Sequence, residues 1–168
     1  GDDISKLNEQ ELFDYCKTKK VSTEKSMGKG KLFDAVFGEF CEKKLTQPTF
    51  ITDYPIEMSP LTKPHRNNPN LTERFELFIN GKEIANAYSE QNNPIEQKES
   101  FKEQARLGKG GDNEAMLIDY DFLRAIEYGM PPTSGIGIGI DRLTMLLTNK
   151  TSIQDVLFFP QMKPKNKT

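Results

Sequence analysis

The fold of this chain is decided by S-G-I-G-I-G-I-D-R-L-T-M-L-L, residues 134–147. Glycine recurs at Gly135, Gly137 and Gly139 in alternation with isoleucine, and this period of two predicts a β-strand with two unlike faces. The isoleucine face is expected to pack on a core, whereas the bare glycine face favours the close approach of another group, such as a flat ligand. The apolar run that follows predicts a helix, and Arg142 at its start could project over the glycine face.

Other glycine motifs do not fit this spacing. The dinucleotide fingerprint G-x-G-x-x-G needs glycine at the sixth position from Gly135, where the chain has Ile140, and no P-loop lysine follows. The G-x-x-x-G of membrane helices is formally present, but the apolar run stops at Asp141 and Arg142, far short of a membrane span. A glycine strand that is merely covered closely by a helix stays open as the plain alternative.

Length and composition bound the class of protein. A chain of 168 residues allows one hydrophobic core with at most a small appendage. The net charge of -2 predicts no strong global field, so any contact with nucleic acid would be local. Cys16 and Cys41 lack C-x-x-C spacing, which indicates neither a zinc site nor a disulfide framework and suits a reducing cytoplasm. No signal or membrane pattern occurs, and the start at Gly1 suggests a chain cut from a longer one.

Residues 1–45 are predicted to form a small helical insertion beside a main unit at residues 46–168. Apolar residues recur at helical spacing from Leu7 to Cys16 and again from Leu32 to Cys41. The intervening S-M-G-K-G-K invites a phosphate-binding interpretation, but it follows no strand and lacks P-loop spacing. A loop between two helices is the favoured interpretation.

The stretch R-F-E-L-F-I-N-G-K-E-I-A-N-A-Y-S-E, residues 74–90, predicts a hairpin with Asn80-Gly81 at its turn. A two-residue turn pairs Glu76 with Ala85 and places Glu76 and Glu83 diagonally on one face, within reach of one cation. Oxygen ligands suit Mg²⁺, which usually takes one or two carboxylates together with substrate phosphates.

The same register sends Asn86, Tyr88 and Glu90 to the opposite face. If all five polar residues line one pocket, a β-bulge or an altered turn must lie between Glu83 and Asn86. The alternative that the pattern leaves open is a half-solvated antiparallel sheet whose acids and amides face water.

Proline, glycine and asparagine mark the remaining elements. His65 lies in a proline-rich loop with no second metal-ligating residue close by, so a solvated or loop-packing role is favoured over chemistry. The predicted elements are a short strand within residues 47–55, a loop at 58–70, a helix from Asn93-Pro94 to Leu107 ended by Gly108, a loop at 109–113, a helix at 120–128 ended by Gly129, and a basic tail at 163–168.

Two of these stretches resemble known enzymes. G-I-G-I-G-I-D-R, residues 135–142, resembles the third signature motif of class II aminoacyl-tRNA synthetases. Residues 74–92, with M-P-P-T-S at 130–134 and V-L-F-F-P at 156–160, resemble the lysine branch, and the likeness covers nearly everything after Gln47. It implies an α+β fold with an antiparallel sheet of the class II type flanked by helices. The sheet would be incomplete, because the first and second motifs and the anticodon-binding barrel have no counterpart here.

The resemblance also implies an ATP site. Carried over by position, Arg142 would stack on the adenine, with Gly139 beside the nucleotide. Glu76 and Glu83 would hold Mg²⁺ on the ATP phosphates.

A lysine pocket follows from the same resemblance. Asn86, Tyr88 and Glu90 would line it, with Gly137 near the amino acid. Physical chemistry agrees for Glu90, because a ligand ammonium removed from water needs a carboxylate partner. Aspartate and asparagine enzymes share the third motif but need a basic pocket.

The implied activity is ATP-dependent formation of lysyl-adenylate and transfer of lysine to tRNA(Lys), by a full-length homodimer in the cytoplasm without a membrane role. The isolated chain, which lacks the second-motif arginine, is expected to be inactive. Two alternatives remain: a lysine-adenylating paralogue that modifies a translation factor, and a non-catalytic binding module of the same fold.

Overall fold

The computed structural model describes residues 2–109 and 117–161, so the predicted tail at 163–168 and most of the predicted loop at 109–113 lie outside it. Within these ranges no helix is long and apolar enough to cross a bilayer. The elements are α1 (Glu9–Thr18), α2 (Lys29–Phe40), β1 (Thr49–Thr52), β2 (Pro64–His65), β3 (Asn68–Thr72), β4 (Arg74–Ile79), β5 (Lys82–Ser89), α3 (Pro94–Lys109), α4 (Tyr120–Glu127), β6 (Ser134–Ile138) and α5 (Ile140–Leu147), with 3₁₀ turns at Glu42–Lys44, Ile56–Met58 and Ile153–Asp155.

The first segment is helical, as its periodicity predicts. A capping box starts α1: the Asn8 side chain accepts from the Glu11 N–H at 2.9 Å, and the Glu11 carboxylate accepts from the Asn8 N–H at 2.9 Å. Helix α2 begins at Lys29 after Gly28, so the glycine-lysine segment is partly a helix start. The two helices share a small core formed by Leu12, Cys16, Val21, Leu32 and Val36.

A four-stranded antiparallel sheet, in the order β1-β4-β5-β6, forms the centre of the second segment. Residues that pair across antiparallel strands share a face. One face, called here the polar face, carries the rows Arg74–Tyr88–Gly135 and Glu76–Asn86–Gly137. The other, called the apolar face, carries the rows Phe75–Ala87–Ile136 and Leu77–Ala85–Ile138.

The hairpin turn forms as predicted, but its simple register is wrong beyond the first pairs. Asn80 and Gly81 have φ of +53° and +66°, which suits a two-residue turn that matches strand twist. Glu76 pairs with Asn86 rather than with Ala85, because the register shifts by one residue at Ile84. This shift confirms the conditional prediction of a bulge between Glu83 and Asn86.

The bulge is tied to the strand–helix junction. The Gly139 N–H donates to the Ile84 carbonyl at 2.9 Å, so the extra residue of β5 is bonded to the end of the glycine strand. The Ile84 side chain is itself buried. The bulge is therefore held by tertiary contacts and not by the turn alone.

The glycine strand and the following helix are confirmed as β6 and α5, but the expected packing of the isoleucine face is wrong. Ile136 is 61% exposed and Ile138 is 50% exposed, because no described element lies over these side chains. Phe50 of β1 is exposed to a similar degree on the same face. The apolar face of the described sheet is thus largely open.

Several boundaries differ from the predictions. The loop predicted at 58–70 contains the small β2–β3 sheet, and α3 continues through Gly108 to Lys109. Asn93 acts as predicted at the start of α3, since its side-chain oxygen accepts from the Ile95 N–H at 3.0 Å. Asp119 caps α4 by accepting from the Phe122 N–H at 2.8 Å.

Candidate ligand site on the polar face

The bulge brings the predicted site residues of β4 and β5 to one side of the sheet. Glu83 pairs with Phe78 before the bulge, and Asn86 pairs with Glu76 after it, so both side chains share the face of Glu76. Tyr88 follows on the same face, opposite Arg74. The half-solvated sheet considered above does not describe this arrangement, because the acids and amides meet each other.

Glu76 lies in a dense hydrogen-bond network. It is only 8% exposed, and its Oε2 accepts from the Tyr54 hydroxyl at 2.7 Å. Its Oε1 accepts from the Asn86 amide at 3.1 Å and from the Arg74 guanidinium. Burial, and then the Glu76 carboxylate, raise the pKa of Tyr54, which keeps the phenol protonated as a donor.

Arg74 is the residue that sequence reasoning missed. Its Nη1 donates to the Met58 carbonyl at 3.1 Å and to the Ser59 hydroxyl at 2.8 Å. Its Nε donates to Asn86 Oδ1 at 3.2 Å. A signal was present in the sequence, because Arg74 stands two residues before Glu76 and shares its strand face.

Energetics separate this ion pair from those on the surface. The side chains of Arg74 and Glu76 are 15% and 11% exposed. Removing one partner of a buried pair costs about 3–5 kcal/mol, because the other charge is left uncompensated. An exposed pair such as Lys102–Glu99 contributes about 0–1 kcal/mol. Loss of either Arg74 or Glu76 is therefore expected to disturb the site more than loss of one partner of the exposed pair.

Glu83 and Arg142 adjoin each other at the other end of the polar face. Arg142 Nη1 donates to the Glu83 carbonyl at 2.8 Å and to Glu83 Oε2 at 3.3 Å. A cavity of about 380 Å³ opens beside them, and Asn86, Gly137 and Gly139 also line it. The structure thus places the predicted adenine residue next to one predicted metal ligand.

Glu90 lies half-buried where β5 passes β6. Its carboxylate occupies the space above Gly135, so that a Cβ on Gly135 would overlap Oε1. Among the side chains that the structure describes, no cation or hydrogen-bond donor pairs with this carboxylate. Burial raises the pKa of Glu90. The arrangement leaves an acid with a desolvation cost that a bound cation would offset.

Tyr88 stands between these groups. Burial, followed by the nearby Glu90 charge, raises the pKa of its phenol, so it faces the site as a neutral group. The larger cavity, of about 600 Å³, adjoins Tyr88, Arg74 and Gly135 but does not include Glu90. That cavity is lined mainly from the apolar face, by Phe75, Ala87 and Ile136, whereas Tyr88 shares the polar face with Arg74.

The first segment also contributes charge to the site. Burial raises the pKa of Glu42, and the carboxylates of Asp34, Glu76 and Glu83 raise it further. Glu42 follows α2 in the turn at Glu42–Lys44, which sequence reasoning did not connect with the hairpin. Several acids thus face one region, and such a region favours a cation.

The metal-binding capacity of this region is limited. The described ranges contain no group of three or more histidine, cysteine, aspartate or glutamate side chains that could hold a metal ion. Glu76 and Glu83 offer carboxylate oxygens, which suit Mg²⁺ when substrate phosphates and water complete its ligand set. The donor chemistry fits a magnesium ion that arrives with a nucleotide.

Comparison with known proteins identifies relatives over nearly the whole chain. Three proteins named lysine–tRNA ligase align with it: from Porphyromonas gingivalis with 67% identity over 165 residues, from Christiangramia forsetii with 65% over 167, and from Azobacteroides pseudotrichonymphae with 61% over 165. These alignments cover 98%, 99% and 98% of this chain but only 28%, 29% and 33% of the respective relatives.

The family model described as tRNA synthetases class II (D, K and N) matches residues 5–163. The match includes the N-terminal helices as well as the sheet and the strand–helix junction at Arg142. Because this family model matches well over half of its residues, the chain belongs to the class II tRNA synthetases of the D, K and N type.

Proposed function

We propose that this chain is the C-terminal part of the catalytic domain of a lysine–tRNA ligase, with residues 1–45 as its helical insertion. The full-length enzyme would activate lysine with ATP and transfer it to tRNA(Lys), as a homodimer in the cytoplasm. The identification of these relatives as lysine–tRNA ligases supports lysine and tRNA as substrates. Because the chain spans less than a third of most of these relatives, the proposal concerns the full-length protein.

The observation that carries the proposal is the carboxylate of Glu90. It is desolvated above Gly135 and has no cationic partner among the described residues. A lysine ammonium would supply the missing charge, and the ring of Tyr88 would pack against the aliphatic stem. A basic pocket, which an aspartate or asparagine side chain needs, is not what these residues form.

In the first step, a carboxylate oxygen of lysine attacks the α-phosphorus of ATP, and the bond to the β-phosphate oxygen breaks to release pyrophosphate. Arg142 would bind the adenine end, while Glu76 and Glu83 would hold Mg²⁺, which neutralises phosphate charge when bound. Asn86, Tyr88 and Glu90 would orient the lysine. No protein nucleophile is needed, so rate enhancement rests on positioning and charge stabilisation.

The test is calorimetric titration of the full-length protein with L-lysine, comparing wild type with Glu90→Gln. We expect a loss of about 2 kcal/mol or more in binding free energy, since the ammonium loses its charged partner. Because burial raises the pKa of Glu90, wild-type affinity should also fall on acidification before an ordinary glutamate would protonate.

Glu99→Gln is the matched control, because Glu99 is exposed on α3 and pairs with Lys102 one turn away. Its lysine affinity should equal that of wild type. Unchanged affinity in Glu90→Gln would contradict the proposed lysine pocket.

A further inference from the structure

We propose that Arg74 is a positioning residue for the reaction, holding the Glu76 carboxylate and the Asn86 amide in one arrangement so that the metal–ATP site and the lysine pocket form together. The inference rests on the proposed function. Arg74 would contact neither substrate itself and would act through Glu76 and Asn86, which line the proposed site.

The contacts of Arg74 reach both halves of the site. Its Nη2 donates to Glu76 Oε1, and its Nε donates to Asn86 Oδ1 at 3.2 Å. Glu76 and Asn86 are in turn bonded to each other, from Asn86 Nδ2 to Glu76 Oε1 at 3.1 Å. The three side chains therefore form a closed ring of hydrogen bonds across β4 and β5.

This ring decides which way the Asn86 amide points. Its oxygen must face the guanidinium, which can only donate, and its nitrogen must face the carboxylate, which accepts. A flipped amide would set donor against donor at Arg74 and acceptor against acceptor at Glu76. One N–H and one lone pair of Asn86 then remain for a ligand, in directions that Arg74 has fixed.

The guanidinium is itself fixed from behind. Nη1 donates to the Met58 carbonyl at 3.1 Å and to Ser59 Oγ at 2.8 Å. The guanidinium carbon lies 4.6 Å from the centre of the Tyr54 ring, a cation–π distance. The Tyr54 hydroxyl donates to the second oxygen of Glu76. The fork of Arg74 thus spans the segment at Met58–Ser59 and the two strand residues.

Lysine cannot replace arginine here, although it keeps the charge. A single ammonium could neutralise Glu76, but it lacks the planar fork that reaches Glu76, Asn86 and Ser59 at once. Arg74→Lys therefore separates positioning from charge: the buried carboxylate stays compensated while the amide loses its orientation.

The experiment uses the full-length protein and measures three quantities: the Kd for L-lysine by calorimetry, the Mg²⁺ concentration for half-maximal ATP–pyrophosphate exchange, and the thermal unfolding midpoint. We expect Arg74→Lys to weaken lysine binding by at least about tenfold and to raise the Mg²⁺ requirement. In an Asn86→Ala background the effect of Arg74→Lys on lysine affinity should shrink to about threefold or less, because the amide through which Arg74 acts has been removed.

Arg66→Lys is the matched control, because Arg66 also pairs with a glutamate, Glu73 between β3 and β4, at 2.6 Å, and its described partners include no site residue. Its lysine affinity and Mg²⁺ requirement should match wild type. Ser59→Ala is the second variant: it keeps Arg74 but removes one anchor of the guanidinium, and it should weaken lysine binding. It decides the question if Arg74→Lys fails to fold.

Three results would overturn the inference: a lysine Kd for Arg74→Lys within about twofold of wild type, an equal loss in the Asn86→Ala background, or no effect of Ser59→Ala when Arg74→Lys does not fold. If wild type binds no lysine, the proposed function fails and this inference fails with it. If wild type binds lysine and Glu90→Gln does not, only the role of Arg74 is at stake.

Discussion

The Glu90 carboxylate, directly after β5, occupies the volume that a side chain at Gly135 of β6 would need. This overlap explains one glycine of the repeated motif. Gly137 and Gly139 differ from Gly135, because a Cβ at either would make only ordinary contacts, at 3.9 Å from the Asn86 carbonyl and at 3.6 Å from the Ile84 carbonyl. Of these three glycines, Gly135 is the one at which a Cβ would overlap a carboxylate oxygen, that of Glu90. The need for glycine is thus specific to one position of the strand.

We expect Gly135→Ala in the full-length protein to weaken lysine binding by about tenfold, because the added methyl group displaces the Glu90 carboxylate. Binding of ATP should change less, since Glu83 and Arg142 lie at the other end of the polar face from Gly135. Calorimetric titration with each ligand measures the split. Glu90→Asp shortens the acid, so Gly135→Ala should cost less in that background. Equal losses in both backgrounds would show that Gly135 does not act through Glu90.

Helix α2 contacts the 3₁₀ turn at Ile56–Met58 through Gly30. A Cβ at Gly30 would lie 2.6 Å from the Glu57 carbonyl and 3.1 Å from the Met58 nitrogen, both backbone atoms that cannot move aside cheaply. The same segment provides the Met58 carbonyl and the Ser59 hydroxyl that hold Arg74. Helix packing and site geometry are therefore linked by one close contact.

Gly30→Ala is expected to lower the thermal unfolding midpoint despite the better helix propensity of alanine, because the methyl group forces α2 away from Glu57 and Met58. Gly38→Ala, also within α2, is the matched control: its Cβ would lie 3.6 Å from Glu42 Oε2. There the propensity gain of about 1 kcal/mol should appear as a higher midpoint. Equal midpoints for both variants would contradict this packing argument, and thermal denaturation followed by circular dichroism measures them.

Sequence patterns predicted the elements better than their register. The glycine strand, α5 and the Asn80-Gly81 turn follow from local spacing, since turn chemistry and periodicity act within a few residues. The bulge at Ile84 could be stated only as a condition, because a long-range bond from Gly139 holds it. Tyr54 was beyond sequence reasoning for the same reason, as it meets Glu76 across 22 residues of chain.

The described sheet has a polar face that carries the candidate ligand site and a largely open apolar face. Phe50, Ile136 and Ile138 are at least half exposed there. The groups expected for the reaction are also only partly present. The chain has Arg142 and the acids, but its sequence has no counterpart of the arginine that the family's second motif supplies to the α-phosphate. Under the proposed function, this chain would therefore hold more of the lysine pocket than of the ATP site.

We expect the isolated 168-residue chain to form no lysyl-adenylate, because nothing in its sequence provides that arginine. ATP–pyrophosphate exchange with L-lysine measures this, with the full-length protein as the positive control. Exchange by the purified chain above the level of its Glu90→Gln variant would contradict the expectation.

The bulge at Ile84 has a consequence for the length of the hairpin. Counting along β5, removal of this one residue would leave Glu83 opposite Phe78 and Asn86 opposite Glu76, with every pocket side chain on its present face. A deletion between Asn86 and Glu90 would instead turn the last part of the pocket to the apolar face. The residues at the hairpin tip can therefore change in number by one at position 84 without turning the side chains of the proposed lysine pocket to the other face. A single-residue gap at position 84 in a related sequence is compatible with an intact pocket, whereas a gap at 87–89 is not.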